Sequence, residues 1–446
     1  MKTTQSIQSL FVATGLMLFA LFFGAGNLIF PANMGQLVGD KLLPAILGFV
    51  TTGAGLPLLG IVAMAYSGTK DVQTLASRVS PTFGLLFAIA LYLSIGPLFA
   101  MPRTATVSFE IGVVPFLGES WSKEWALALF SVVFFAIAYW LAMSPGKLID
   151  RIGKVLTPVL LLSIAILTIT SFIQPMGDLQ AAQQSYQTHP FIQGFVDGYQ
   201  TMDALASLVF AIIVIEALQQ AGVTQVEPLL RMTIGAGLLA AVCLGIVYAM
   251  VTYMGASSVA QIGILNNGAA VLSQVAAFYW GTAGNVLLLV IVLLACLSTS
   301  VGLIAACSEY FHRIYPRLSY RGFAILFTLI SCVLANKGLS GIIQFSVPVL
   351  VLLYPLTMVI ILLSFLHSLF KGHKLVYQVT MGLTLIVGIL EGWKTAFGLP
   401  STMLDYLNTY LSWYDIGMGW VMPAVVGFVV SVAIVHLQSH MLNNTK

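Results

Sequence analysis

The sequence predicts an all-α membrane protein of about twelve transmembrane helices. Of its 446 residues, 59% are hydrophobic and only 7% are charged. Soluble domains carry about 25% charged residues, and a soluble fold of this composition would expose a mostly apolar surface. The apolar residues also gather in runs of about 20, the length of a helix that crosses a bilayer. Because lipid offers no partners to backbone groups, these runs should be helical, and strand alternation is absent.

The apolar runs define a single transmembrane domain over residues 1–446. The predicted spans are 8–37, 42–66, 82–108, 124–143, 152–174, 192–219, 232–255, 283–311, 320–336, 339–368, 375–397 and 416–439. The first run lacks a signal-peptide cleavage pattern and is kept as a span. Residues 175–191 and 256–281 are more polar, and we expect external loops there, the second with helices lying over the protein.

Lysines and arginines are distributed unequally between the two sides. With the N-terminus in the cytoplasm, about thirteen fall on the cytoplasmic side and five on the other, as the positive-inside rule expects. The cytoplasmic set is Lys2, Lys70, Arg78, Lys147, Arg151, Lys154, Arg231, Arg313, Arg317, Arg321, Lys371, Lys374 and Lys446, and the external set is Lys41, Arg103, Lys123, Lys337 and Lys394. Both termini are therefore predicted to be cytoplasmic.

The first span contains Phe22-Phe23-Gly24-Ala25-Gly26-Asn27 near its middle. Two glycines and an asparagine weaken a helix there. One interpretation is close helix packing through small residues. The other is a broken helix whose free N–H groups at residues 25–27 face an anionic ligand. The free carbonyl groups of the preceding half would then face a cation.

The sixth span carries a polar patch that runs from Gly198 to Ser207 and includes Thr201 and Asp203. An ionised carboxylate deep in a membrane is costly and marks a functional site by default. Alternatively, Asp203 lies in water near the outer mouth, and the hydroxyl groups of Thr201 and Ser207 bond to carbonyls of their own helix.

The two polar interruptions lie about five spans apart, which favours a transporter. Paired discontinuous helices in corresponding positions of two halves are the best sequence indication of a transporter site. Residues 8–174 and 192–368 would form two inverted repeats, because an odd number of spans per repeat reverses the second. Residues 375–439 would add two further helices.

Two other spans carry candidate functional residues. The eighth contains Ser298-Thr299-Ser300, and hydroxyl and carbonyl oxygens suit a hard cation such as Na⁺, although helix back-bonding would also explain these hydroxyls. The third contains Gly96-Pro97 and Pro102-Arg103 and should be irregular. Arg103 would either act as a gate or extend its charge to the interface.

Several functions are disfavoured by what the sequence lacks. No soluble nucleotide-binding domain, Ser-His-Asp, HExxH or phosphate-loop pattern stands out, so we expect neither an ATP-driven pump nor an enzyme. No basic run indicates nucleic acid, and the four cysteines show no zinc-ligand spacing. No cofactor is expected besides a coupling ion. A channel or sensor is less favoured, because the polar residues cluster near mid-membrane and do not form a continuous pore.

At these motifs the chain resembles the branched-chain amino acid:cation symporter family. The resemblance covers essentially all twelve spans. It is carried by Phe22 to Pro31, by Gly96-Pro97 with Pro102-Arg103-Thr104-Ala105, and by Gly198-Tyr199 with Thr201-Met202-Asp203-Ala204-Leu205-Ala206. The family implies a LeuT-like fold and symport of leucine, isoleucine and valine with Na⁺ across the bacterial inner membrane.

The resemblance and the residues together give an expected site. The substrate is expected to touch Phe22, Phe23, Gly24, Ala25, Gly26, Asn27, Tyr92, Thr201, Asp203, Ala204 and Ser207. A distant likeness to LeuT-type transporters implies a Na⁺ site at Ala20, Phe23, Ala295, Ser298 and Thr299, and Asn27 could belong to a second cation site. Arg103 is the candidate gate. Proton coupling through Asp203 stays an alternative to Na⁺, and the oligomeric state is open.

Overall fold

The computed structural model describes residues 7–69, 71–118, 121–143, 157–183 and 186–444. These residues form eighteen α-helices and no β-strand. The helices are α1 (Ile7–Phe22), α2 (Ala25–Val38), α3 (Leu42–Val50), α4 (Leu56–Ser67), α5 (Val72–Ala76), α6 (Pro81–Leu93), α7 (Ala100–Gly112), α8 (Lys123–Ala142), α9 (Thr157–Ile173), α10 (Pro190–Asp197), α11 (Asp203–Gln220), α12 (Val226–Ile262), α13 (Gly268–Ile314), α14 (Tyr320–Ala335), α15 (Gly338–Phe365), α16 (Lys374–Phe397), α17 (Ser401–Tyr410) and α18 (Val421–Asn444).

The prediction of an all-helical, multi-span protein is confirmed. Among the described residues, nine helical stretches are long and apolar enough to cross a membrane. Shorter apolar helices at Ser9–Phe22, Leu161–Ile173 and Tyr320–Ala335 coincide with the predicted first, fifth and ninth spans. Residues 152–156 of the fifth span, together with Lys2, Lys70, Lys147, Arg151, Lys154 and Lys446, lie outside the described residues. The two inverted repeats stay a prediction.

Three spans are less regular than a single helix. The second contains a π-helical turn at Thr51–Gly55, which the sequence did not predict. The third is interrupted at Ser94–Leu98, where Gly96 leaves the helical conformation, as its Gly-Pro pair predicted. In the eighth, α13 bends at Gly281, where φ is 56°. The stretch 256–281 is thus largely helical, because α12 continues to Ile262 and α13 begins at Gly268.

Charged side chains distinguish the two ends of the bundle. Near one end, Arg313 pairs with Asp71 at 2.8 Å, and Arg78 donates to Tyr377 at 3.2 Å. We call this the basic end. At the other end, Asp40 accepts the N–H group of Ala182 at 3.2 Å; we call this the opposite end. Helices α2, α7 and α10 all run between mid-bundle and the opposite end.

Helix α2 packs closely against α12 because small residues face each other. A Cβ atom on Gly35 would collide with the carbonyl of Thr252, and one on Gly255 with the carbonyl of Ala32. Small residues let the backbones of membrane helices approach in this way. The contact fixes α2, the second half of the first broken helix, beside the α12 residue Tyr248. By contrast, Val425 and Val429 of α18 are more than half exposed, as expected of a helix that faces lipid.

Candidate functional site

The first broken helix is interrupted at Phe23 and Gly24. Helix α1 ends at Phe22, Gly24 is extended with φ −121° and ψ −157°, and α2 begins at Ala25. The Asn27 side chain stabilises the new start, because its Oδ1 atom accepts the N–H group of Gly24 at 3.0 Å. The N–H groups of Ala25 and Gly26 have no acceptor within their own helix. The break predicted from the Gly-Ala-Gly-Asn motif is therefore present.

The second broken helix is interrupted at Met202. Helix α10 passes into a 3₁₀ turn at Gly198–Thr201, and Met202 adopts a left-handed conformation with φ 66°. Helix α11 then begins at Asp203, whose N–H group donates to Thr201 Oγ1 at 3.3 Å. Left-handed backbone is unfavourable for a side chain such as that of methionine. The surrounding fold must therefore stabilise this turn.

The two breaks are joined through Asn27. Its Nδ2 atom donates to Asp203 Oδ2 and lies 2.5 Å from the Tyr248 hydroxyl group. Tyr248 in turn donates to the same Asp203 oxygen at 2.9 Å. Asp203 is only 3% exposed, so it lies inside the bundle and not in water at an outer mouth. Its carboxylate ties the start of α11 to the start of α2.

A cavity of about 350 Å³ lies where the two breaks meet. The lining residues are Leu21, Phe22, Gly24, Ala25, Gly26, Asn27, Ile95, Ala100, Arg103, Thr104, Thr201, Met202, Asp203, Ala206, Phe210, Thr299 and Leu303. We call it the central cavity. It combines an apolar wall with one cationic and one anionic side chain, and this suits a small zwitterion that has an apolar side chain.

Arg103 lies over the central cavity on the side that faces the opposite end of the bundle. Its Nη1 atom donates to the carbonyl of Gln200 at 2.8 Å, and its Nη2 atom to that of Thr201 at 3.4 Å. The guanidinium also lies over the Phe30 ring, 5.3 Å from its centroid. Arg103 is 2% exposed, so it does not extend to the membrane surface.

A second polar cluster lies between α1 and α13. Ser298 Oγ is 2.9 Å from the carbonyl oxygens of both Ala20 and Ala295. Thr299 Oγ1 donates to the carbonyl of Leu21 at 3.1 Å. Among the described residues, the Phe23 carbonyl forms no hydrogen bond to these hydroxyls; the Phe23 ring stacks on Phe19. The oxygens expected at Ala20, Ala295, Ser298 and Thr299 do come together, and Leu21 joins them.

Four predicted substrate contacts, Phe23, Tyr92, Ala204 and Ser207, are not among the residues that line the central cavity. Tyr92 stacks on Tyr310 with ring centroids 4.0 Å apart, because α6 ends before the Gly96 kink and its residues stay nearer the basic end. Ser207 points at Gly60 of α4 and donates to the carbonyl of Ala204 at 2.7 Å. Ala204 lies on the same turn and does not line the cavity. The alternative that Ser207 bonds within its own helix therefore holds.

The sequence did not predict a place in the site for Tyr248, Phe210 or Phe30. An isolated aromatic residue in an apolar span gives no local signal of function, since most such residues pack in the core. Phe22 and Phe210 both line the central cavity and pair with ring centroids 5.8 Å apart, and a second, wider cavity is also present. That cavity extends toward the basic end and includes Tyr92, Glu216 and Arg313 in its lining.

Similar solved structures place the fold among LeuT-like membrane transporters. The nucleobase-cation-symport-1 family transporter Mhp1, in a closed conformation with bromovinylhydantoin bound, matches with a TM-score of 0.63 and 11% identity over 97% of this chain and 93% of its own. MhsT in complex with L-phenylalanine matches with a TM-score of 0.58 and 16% identity over 95% and 97%. These likenesses concern the fold alone.

Sequence comparison identifies the family. The family described as "Branched-chain amino acid transport protein" matches residues 7–438. The branched-chain amino acid permease BrnQ of Bacillus subtilis is 46% identical over 94% of this chain and 95% of its own length. The branched-chain amino acid transport system 2 carrier protein of Pseudomonas aeruginosa is 41% identical over 94% and 95%. The chain belongs to this family, so it is a transport protein and not an enzyme.

Proposed function

We propose that the protein carries leucine, isoleucine and valine together with Na⁺ across the bacterial cytoplasmic membrane by alternating access. The observation that carries this proposal is the meeting of two broken helices around one buried cavity, in a chain of this family. Broken helices at mid-membrane place helix ends against substrate and coupling ions. The relatives named above support branched-chain amino acids as the substrate class.

The ends of the broken helices suit the two charged groups of an amino acid. The substrate carboxylate would accept the free N–H groups of Ala25 and Gly26 at the positive end of α2. The ammonium group would donate to carbonyl oxygens near Phe22, at the end of α1, and to groups near Thr201 and Asp203. The backbone thus supplies most of the recognition of the zwitterion.

The apolar wall suits a branched side chain. Ile95, Ala206, Phe210 and Leu303 line the central cavity, and none offers a polar group. One methylene in an apolar pocket changes binding by about 1–3 kcal/mol. Leucine, isoleucine and valine should therefore compete with one another, and a polar analogue of similar size should be rejected more strongly.

Na⁺ would bind as a co-substrate among the oxygens between α1 and α13. The carbonyls of Ala20, Leu21 and Ala295 and the hydroxyls of Ser298 and Thr299 are all hard ligands, which Na⁺ prefers over transition metals. In this arrangement the hydroxyls donate to carbonyls, and they would rotate to present their lone pairs to the ion. Because the ion would join two helices, its binding would favour one conformation, and linkage makes substrate and ion help each other.

The two ends of the bundle suit an inward-facing conformation. The wide cavity extends toward the basic end, which the positive-inside rule assigns to the cytoplasm. Arg103 lies over the central cavity on the side that faces the opposite end. Both termini would then be cytoplasmic. Rocking of one bundle against the other would expose the central cavity to each side in turn.

The proposal is tested by uptake of labelled leucine into proteoliposomes. An inward Na⁺ gradient should drive accumulation above the external concentration, and valine and isoleucine should compete. Replacing Na⁺ with choline at fixed pH should abolish accumulation. Leucine that only equilibrates across the membrane would indicate a channel, and no leucine movement would contradict the proposal.

A proton is the second candidate coupling ion, because Asp203 is a buried carboxylate at the junction of the breaks. A proton gradient would then drive accumulation in choline medium. Asp203→Asn should remove that dependence and leave leucine exchange. Leucine accumulation that requires Na⁺ and does not depend on the proton gradient would exclude proton coupling.

A further inference from the structure

The Arg103 guanidinium is buried without a counterion in contact. In the described part of the chain, no carboxylate lies within 4.0 Å of it. Its two described hydrogen bonds go to neutral backbone carbonyls, and its Nε atom is buried with no hydrogen-bond partner. A buried charge of this kind is unfavourable unless an anion and hydrogen bonds compensate it.

The unused donors of Arg103 lie on one edge of the guanidinium. Nη1 is occupied by a 2.8 Å bond to the carbonyl of Gln200, whereas Nη2 has only a 3.4 Å bond to that of Thr201. Nε and Nη2 together form the side-on edge with which arginine grips a carboxylate through two parallel bonds. This edge is available to an anion.

The same edge lies beside the start of α2. A Cβ atom built on Gly26 would be 2.9 Å from Arg103 Nη2, so only the absence of a side chain lets the guanidinium approach so closely. The free N–H groups at the first turn of α2 also attract an anion. Two independent anion-attracting features therefore meet at one wall of the central cavity, since Arg103 and Gly26 both line it.

We propose that Arg103 binds the substrate carboxylate directly and makes the transporter select amino acids over amines and amides with the same side chain. This inference rests on the proposed function and deepens it. A gate alone would need only the bonds to Gln200 and Thr201 and would leave Nε unpaired in the closed state. A carboxylate completes the hydrogen bonding of the guanidinium and neutralises its charge.

The test is equilibrium binding to the purified protein in Na⁺ medium, which does not depend on the conformational cycle. Labelled leucine is displaced by unlabelled leucine, by leucinamide, which lacks the anionic carboxylate, and by 3-methylbutylamine. The wild type should bind leucine much more tightly than either analogue. Arg103→Gln should weaken leucine binding about 10- to 100-fold, the range of a charged hydrogen-bonded contact, and leave the binding of leucinamide nearly unchanged.

Two further variants make the result decisive. Arg103→Lys keeps the charge but loses the planar edge, so it should retain part of the preference for leucine and also serves if Arg103→Gln fails to fold. Lys337→Gln removes an exposed cation at the opposite end and should change nothing.

Equal losses for leucine and leucinamide in both Arg103 variants would overturn the carboxylate assignment and leave a purely structural role. Wild-type protein that fails to accumulate leucine in proteoliposomes would instead contradict the proposed function. The two failures are thus distinguishable.

Discussion

The two broken helices are stabilised in different ways. The first broken helix is interrupted only at Phe23 and Gly24. Hydroxyl groups of α13 donate hydrogen bonds to carbonyl groups in the last turn of α1. The second uses a 3₁₀ turn and a left-handed Met202, and the side chain of Arg103 bonds to its carbonyls. One break therefore depends on neutral oxygens and the other on a buried cation.

This difference between the breaks separates the two functions that we propose for the site, which are ion binding and recognition of the substrate carboxylate. Neutral oxygens around the first break suit a metal cation, whereas a guanidinium at the second break repels one and attracts an anion. Ion dependence should therefore follow substitutions among the oxygens of α1 and α13, and selection by the carboxylate should follow substitution of Arg103. Asn27 belongs to both, because it joins Gly24 to Asp203.

The largest effect is expected for Asn27→Ala, which removes the link between the breaks. Asp203 would lose a hydrogen bond worth about 1.5–3 kcal/mol, and the Gly24 N–H group would lose its acceptor as well. Leucine uptake should fall at least about 100-fold, and the thermal unfolding temperature should drop. Asn336→Ala, at an exposed asparagine, is the matched control. Near-normal uptake by Asn27→Ala would show that the breaks work independently.

Thr299→Ala should change the ion dependence more than the substrate dependence. The hydroxyl is one of few ligands in the proposed Na⁺ site, so its loss should raise the half-saturating Na⁺ concentration about 10-fold. Saturating Na⁺ should restore much of the uptake. Thr395→Ala, whose hydroxyl bonds to the carbonyl of Glu391 in its own helix, is the control. An unchanged Na⁺ dependence would contradict the assignment of the ion site.

A smaller effect is expected for Tyr248→Phe. The ring would stay in place, but the carboxylate of Asp203 would lose a 2.9 Å hydrogen bond worth about 1.5–3 kcal/mol. Because Asp203 lies at the junction, both leucine affinity and the unfolding temperature should fall, by less than in Asn27→Ala. Binding isotherms and thermal unfolding of the purified variants measure this. A larger loss than in Asn27→Ala would make Tyr248 the main link.

The smallest effect concerns the backbone of the second break. Met202→Gly and Met202→Ala both remove the side chain from the cavity, but only glycine favours the φ of 66°. The glycine variant should be more stable by about 1 kcal/mol, which the difference in unfolding temperature would reveal. Equal stabilities would mean that the turn relaxes when the side chain is lost.

The sequence was most informative about the positions at which the two broken helices are interrupted. Glycine and asparagine at residues 24–27 disfavour continuous helix, and a polar patch at residues 198–207 interrupts an apolar span, so both breaks were predictable; the burial of Asp203 was one of two alternatives. The family resemblance then brought in the oxygens of α1 and α13. These predictions rest on local conformational preference and on the cost of burying polar groups.

The rotation of each helix about its axis was not predictable. Tyr92 was expected at the substrate, but the Gly96 kink leaves it on the half of the span that lines the wide cavity. The same kink sets the direction of α7 and brings Arg103 inward, which the sequence left undecided. Tyr248 was missed since its partners are 221 and 45 residues away in the chain.

The bond between Asn27 and Asp203 has a mechanical consequence. Helix α2 extends from it toward the opposite end and α11 toward the basic end. Two half-helices fastened at their inner ends share one pivot. Under the alternating access proposed above, a tilt of α2 that displaces this pivot would also displace the inner end of α11. A single amide side chain would thereby couple two segments that lie 176 residues apart in the chain, without any signal passing along the length of the bundle.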